Sequence, residues 1–160
     1  LNTLRHGNLA LFYGACVDPP HACVLWEYCA KGSVQDIIQN NDVRLDSMFQ
    51  FSLAMDISAV RTSIIHGSEL RIHGNLRSSN CLVDNRWTCK LSGFWTPESV
   101  EGEQQLDNVD EASKFQKLFW TAPENLRRIL KGERRQLSQP ADVYSLAVVL
   151  KEILCKNSAF

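Results

Sequence analysis

Residues 72–84, Ile-His-Gly-Asn-Leu-Arg-Ser-Ser-Asn-Cys-Leu-Val-Asp, constrain the fold more than any other stretch. A polar loop, residues 74–80, stands between an upstream segment of helical apolar period and a short β-type run, residues 81–83. Eleven residues past Asn80 comes Leu91-Ser92-Gly93-Phe94-Trp95. Ala122-Pro123-Glu124 and Asp142-Val143-Tyr144-Ser145 follow. Each of these short runs is weak alone; their order and spacing together are specific.

Around this centre the chain reads as a mixed α+β fold. Residues 9–16 and 23–28 are β-type runs joined by the turn-rich Val17-Asp18-Pro19-Pro20-His21, as expected of two antiparallel strands. Ser33, with Asp36 three residues on, has capping-box spacing and opens a short helix whose apolar face is Val34, Ile37 and Ile38. Residues 45–66 fit a period near 3.6. Asp46 or Ser47 is the candidate cap, and an apolar stripe over more than half the circumference predicts a largely buried helix. Residues 81–84 and 87–91 predict a hairpin around Asp84-Asn85-Arg86. Residues 93–120 show little periodicity and read as a solvated acidic loop.

Thr121-Ala122-Pro123-Glu124 predicts a helix start with Thr121 as N-cap, Glu124 completing a capping box, and Pro123 tolerated in the first turn. Ser138-Gln139-Pro140 opens the last helix. Residues 143–154 are apolar on nearly every side, which predicts burial all round. Asp142 falls in its first turn, where the helix dipole favours a carboxylate.

At 160 residues the chain is about one domain long and can bury roughly 70% of its unfolded surface. Its net charge of −1 gives no global field for nucleic acid or an anionic membrane. Arg127-Arg128 and Arg134-Arg135 therefore read as a solvated face. No apolar run reaches the ~20 residues of a membrane span. The chain begins at Leu1 and not Met, as expected of a fragment of a longer protein. None of the six cysteines makes a C-x-x-C pair or zinc spacing with His. They read as buried free thiols of a reducing compartment.

The order of these motifs resembles the catalytic half of a protein kinase, whose loop H-R-D-L-x-x-x-N is followed by D-F-G and A-P-E. Here H-R-D is His73-Gly74-Asn75 and D-F-G is Gly93-Phe94-Trp95. A more specific resemblance is to the kinase-homology domain of receptor guanylate cyclases. Those domains share the His-Gly-Asn-Leu…Ser-Ser-Asn-Cys spelling of residues 73–81, the Gly-Ala-Cys-Val-Asp-Pro of residues 14–19, and the Glu27-Tyr28-Cys29 and Trp120-Thr121-Ala122-Pro123-Glu124 blocks. The resemblance implies a protein kinase-like α+β fold cut at both ends. About residues 1–31 would be the end of the small lobe and the hinge, with two strands; about 32–160 would be an incomplete, mostly helical large lobe.

The resemblance also carries roles. Glu27 and Cys29 fall in the hinge, with Trp26 as gatekeeper filling the space behind the adenine site. Glu27, Cys29, Arg77, Asn80 and Leu82 are the positions where a nucleotide would lie. His73, Phe94 and Phe12 would stack as a spine, Asp142 would bond the loop backbone, and Glu124 would belong to the structural A-P-E turn. Asn75 stands where an active kinase has its general base, and an amide has no basic lone pair. Gly93 stands where it has its metal-binding Asp. The motif Arg that would meet a phosphorylated activation loop is Gly74.

The resemblance thus implies a catalytically inactive regulatory domain with no intact catalytic residue and no metal site, holding at most ATP weakly without magnesium. It would relay extracellular ligand binding to a C-terminal cyclase that makes cyclic GMP. Its implied partners are the cyclase and dimerisation segments of the same chain, in a homodimer and without nucleic acid. Its place would be the cytoplasmic side of a single-pass receptor in the plasma membrane, joined to the membrane only through a transmembrane helix outside this segment. A divergent active kinase and a free-standing inactive kinase-like domain are the alternatives.

Overall fold

The computed structural model describes residues 6–16, 23–60, 71–94 and 111–156. Strands β1 (Phe12–Cys16) and β2 (Cys23–Trp26) pair antiparallel, with a bulge between Phe12 and Gly14. Both are shorter than the sequence predicts; before β1 the chain has another partner. Leu9 bridges Leu91 in parallel, and Ala10 donates to the Leu91 carbonyl at 3.0 Å. The connection over residues 17–22 lies outside the described residues.

Helix α1 (Val34–Gln39) starts as expected. The Ser33 hydroxyl accepts from the Asp36 amide, and the Asp36 carboxylate accepts from the Ser33 amide at 2.8 Å. Its Val34, Ile37 and Ile38 enter the core. Helix α2 (Ser47–Val60) is capped by Asp46, whose Oδ1 accepts from the Phe49 amide at 3.0 Å. The expected extension over residues 61–66 lies outside the described residues. Its expected burial does not hold: Leu53, Ile57 and Val60 are solvent-free, but Met48, Phe51 and Met55 are 80%, 64% and 69% exposed. The inner face packs on the last helix and the second hairpin; no described element covers the outer one.

A 3₁₀ turn (Ser78–Asn80) leads into β3 (Cys81–Val83), which pairs antiparallel with β4 (Cys89–Leu91). Asp84 ties the turn between them: its Oδ1 accepts from the amides of Arg86 at 2.8 Å and Thr88 at 3.0 Å. Helix α3 (Glu111–Leu118) lies inside what reads as an irregular acidic segment. Its Glu, Ala, Lys, Gln and Leu are strong helix formers, a signal the charge count obscures. Residues 95–110 lie outside the described residues.

Helix α4 (Pro123–Leu130) begins one residue later than the capping-box spacing predicts. Ala122 is the N-cap and makes no side-chain cap bond. Thr121 instead donates its hydroxyl to the Lys117 carbonyl at 3.2 Å, so it closes the preceding turn and does not open the next helix. Helix α5 (Gln139–Cys155) is capped by Ser138. It too is buried on one face only. Leu146, Val149 and Ile153 join the core, while Val143 and Leu154 are 44% and 48% exposed. The all-round apolar pattern thus exceeds what the described residues cover. No described helix is long and apolar enough to cross a membrane.

Candidate functional site

The polar loop after residue 72 hangs from the buried face of α5. Asp142, 2% exposed, takes the His73 amide on Oδ2 at 2.7 Å and the Gly74 amide on Oδ1 at 2.9 Å. Ten residues along the helix, Glu152 takes the Ser78 hydroxyl on Oε1 at 3.0 Å and the Trp120 indole N–H on Oε2 at 2.8 Å. Ser145, between them, donates to the Trp120 carbonyl at 2.7 Å. One helix face therefore fixes both the loop and the segment that leads into α4. Burial raises the Glu152 carboxyl above its usual range, and the Trp120 and Ser78 bonds offset part of that.

His73 is the inner pivot of the loop. Its ring packs on Phe94 with centroids 4.5 Å apart. Nε2 lies 3.1 Å from the Ser92 carbonyl, which can only accept, and the Asn75 amide donates to Nδ1 at 3.2 Å. These partners select the neutral Nε2–H tautomer. Burial depresses the ring to about 4 against the 6.5 of a free histidine; Arg77 works in the same direction and the Ser92 carbonyl against it. The expected third ring is elsewhere: Phe12 faces Trp26 across β1–β2 and packs on it edge-on at 5.2 Å. Cross-strand register makes that pair, so the stack is His73 and Phe94. Trp26 itself is 38% exposed.

The degenerate positions are knitted together. Asn75 donates Nδ2 to the Gly93 carbonyl at 3.0 Å, and Asn80 donates Nδ2 to the Asn75 carbonyl at 2.7 Å. The Asn80 carbonyl accepts from both the amide and the hydroxyl of Ser92. Gly93 has φ +65°, and a Cβ there would lie 2.7 Å from Asn80 Cγ. Two neutral amides and a glycine make a weak donor set for a hard divalent cation, which favours charged oxygens. Among the described residues no group of three or more His, Cys, Asp or Glu is placed to hold a metal.

On the hinge side, the Glu27 carboxylate is engaged by Lys90 and by the Leu11 amide at 3.2 Å. Lys90 is buried and lies 3.9 Å from Asp84. This ion pair joins the end of β2 to β4. Burial, reinforced by Glu27, pushes the Cys29 thiol up, and the Cys29 carbonyl accepts from Gly32 at 3.1 Å. Leu82 is half-buried and bridges Ser33. Glu124 sits exposed in the first turn of α4. Arg128 is used internally, on Glu133 and on the Arg134 carbonyl. A cavity of about 310 Å³ is lined by Asn75, Arg77, Asn125 and Asp142 among others. Of the positions marked for a nucleotide, only Arg77 lines it.

Glu152 and Lys90 escape sequence reasoning. The available signal was a charge beside apolar residues, Lys90 between Cys89 and Leu91 and Glu152 before Ile153 and Leu154, which must be paired if it is buried.

A family model described as protein tyrosine and serine/threonine kinase matches residues 1–159. The chain is 40% identical to the Resact receptor of Arbacia punctulata over its full length. It is 42% identical to Guanylate cyclase 2G of Mus musculus over 94% of its length. It is 37% identical, again over its full length, to a receptor-type guanylate cyclase of Caenorhabditis elegans. It spans 16%, 14% and 12% of the lengths of these three proteins.

Proposed function

Because the chain belongs to the protein tyrosine and serine/threonine kinase family, we propose that it is a kinase-homology domain that has kept the family's fold and lost its chemistry. Its parent is a receptor guanylate cyclase, and the domain passes the state of an extracellular ligand-binding region to a cyclase that converts GTP to cyclic GMP. It works on the cytoplasmic side of the membrane, in a homodimer. The similarity to receptor-type guanylate cyclases supports the parentage.

The observation that carries the loss of chemistry is the amide network Asn75–Gly93 and Asn80–Asn75. An amide at position 75 cannot take a substrate proton, a loss of ~10²–10⁴ in rate on its own. No carboxylate stands at position 93, and the polar atoms around it already bond one another. These residues do not fit a magnesium ion, so no phosphoryl transfer is routed through one. A two-state regulatory element needs a packed core and a signal that favours one state by a few kcal/mol; it needs no base.

The test is ligand-stimulated cyclic GMP production by the full-length protein, matched for surface expression. Asn75→Ala should leave stimulation largely intact, and Asp142→Ala should remove most of it. The opposite pattern would mean that the loop performs chemistry.

A second expectation concerns the metal. Thermal shift with ATP should give the same small effect in magnesium and in chelator. Gly93→Asp should not change that. It should instead cost about 1–3 kcal/mol, because the side chain adopts a left-handed backbone and displaces Asn80 from the Asn75 carbonyl. A large magnesium-dependent shift in either protein would contradict it.

A further inference from the structure

Half of the cysteines are not buried as their apolar neighbours predict: Cys16, Cys23 and Cys155 are exposed. Two of them face each other. Cys16 and Cys23 are opposite partners in the β1–β2 register. Directly opposed residues of an antiparallel pair have Cα atoms about 4.5 or 5.5 Å apart, according to the type of pair, with side chains on one face of the sheet. Disulfides span Cα separations of about 4.4–6.8 Å. Either type of pair lies inside that window, so a small local adjustment of the pair brings the two sulfurs together.

The other three thiols contrast with this pair. Cys29, Cys81 and Cys89 are buried. Cys29 is pushed up by burial and Glu27, and Cys89 by a hydrogen bond with Cys81 and by burial. A protonated, enclosed thiol is inert towards exchange.

We propose that Cys16 and Cys23 are a redox modification site, closing a cross-strand disulfide on exposure to a low-molecular-weight disulfide such as glutathione disulfide. One cysteine thiolate attacks a glutathione sulfur and expels a glutathione thiolate. The second cysteine, as thiolate, then displaces the other glutathione from the mixed disulfide. In sum, two protein thiols and one glutathione disulfide give one protein disulfide and two glutathione thiols. The cysteine sulfurs are oxidised and the glutathione sulfurs reduced. An exposed disulfide of this kind is labile and therefore reversible, unlike a structural one. It would pin β2 three residues before Trp26 and four before Glu27, whose carboxylate engages Lys90 on β4.

The full-length protein is exposed to glutathione disulfide, alkylated with iodoacetamide and digested with trypsin. Residues 6–31 form one tryptic peptide carrying Cys16, Cys23 and Cys29. From untreated protein, unfolded before alkylation, it takes three alkyl groups. After oxidation it should take one, on Cys29, and be short by two hydrogens. Excess reduced glutathione should restore all three. Cys16→Ser and Cys23→Ser should each abolish the bridge. Three alkyl groups after oxidation, stable glutathione adducts with no bridge, a bridge that includes Cys29, or one that survives excess glutathione would each overturn the proposal.

Discussion

Asp142→Ala should destabilise the protein by about 3 kcal/mol, because two amides lose their only described acceptor at ~1–3 kcal/mol each. The removed carboxylate also lies in the first turn of α5, where it favours the helix dipole by ~0.3–1 kcal/mol. At about 2–4 °C per kcal/mol for a chain of this size, Tm should fall by roughly 6–12 °C. Asp142→Asn should lose about half as much: one amide oxygen still accepts, but its NH₂ faces the other donor. Chemical denaturation of the two variants beside the parent measures this. A change within about 0.5 kcal/mol for Asp142→Ala, the range of an ordinary surface substitution, would show that the loop is held elsewhere.

The second large effect is a pH dependence. His73 titrates near 4 when folded, against 6.5 for a free histidine. As pH falls below 6.5 the unfolded chain takes up the proton first, so the contribution is fully present above that pH and is lost as pH falls towards 4. The span of about 2.5 units corresponds to ~3 kcal/mol. The cause is geometric: protonating Nδ1 removes the acceptor used by the Asn75 amide and places a charge against Phe94 in a solvent-free pocket. Glu152, raised by burial, works in the opposite sense, so the measurement has to be a difference. His73→Leu should be less stable than the parent at pH 7, and the gap between the two should close by ~3 kcal/mol between pH 7 and pH 4. A gap that stays constant would mean that the ring is not held neutral.

What the sequence discloses here depends on how local the physics is. The capping box at Ser33 and Asp36 involves residues three apart and is legible directly. The start of α4 is legible to within a residue, because Pro123 at its first position is a local signal; which neighbour caps it is decided by Thr121 bonding backwards to Lys117. Glu152 and Lys90 have partners 74 and 63 residues away, and nothing local names those partners. The outer faces of α2 and α5 misled for a different reason. Periodicity reports how much apolar surface a helix carries, and says nothing of whether the chain in hand supplies its cover. Asn75 and Gly93 were legible as departures from the kinase pattern; the bonds that tie them to each other and to Asn80 are visible only in three dimensions.

The clamp on α5 has a consequence for the order in which this chain can mature on the ribosome. Three of its rungs join residues 68, 69 and 74 positions apart, always with the loop upstream and the carboxylate downstream. At ~5–20 residues per second, the loop from His73 to Ser78 waits roughly 4–15 s before Glu152 has been made. Until Asp142 is made the His73 and Gly74 amides lack their acceptor, and until Glu152 is made the Ser78 hydroxyl lacks its own. A helix synthesised after the loop is thus the one that shapes it, and a nascent chain stalled before α5 would carry every residue of the motif without its geometry.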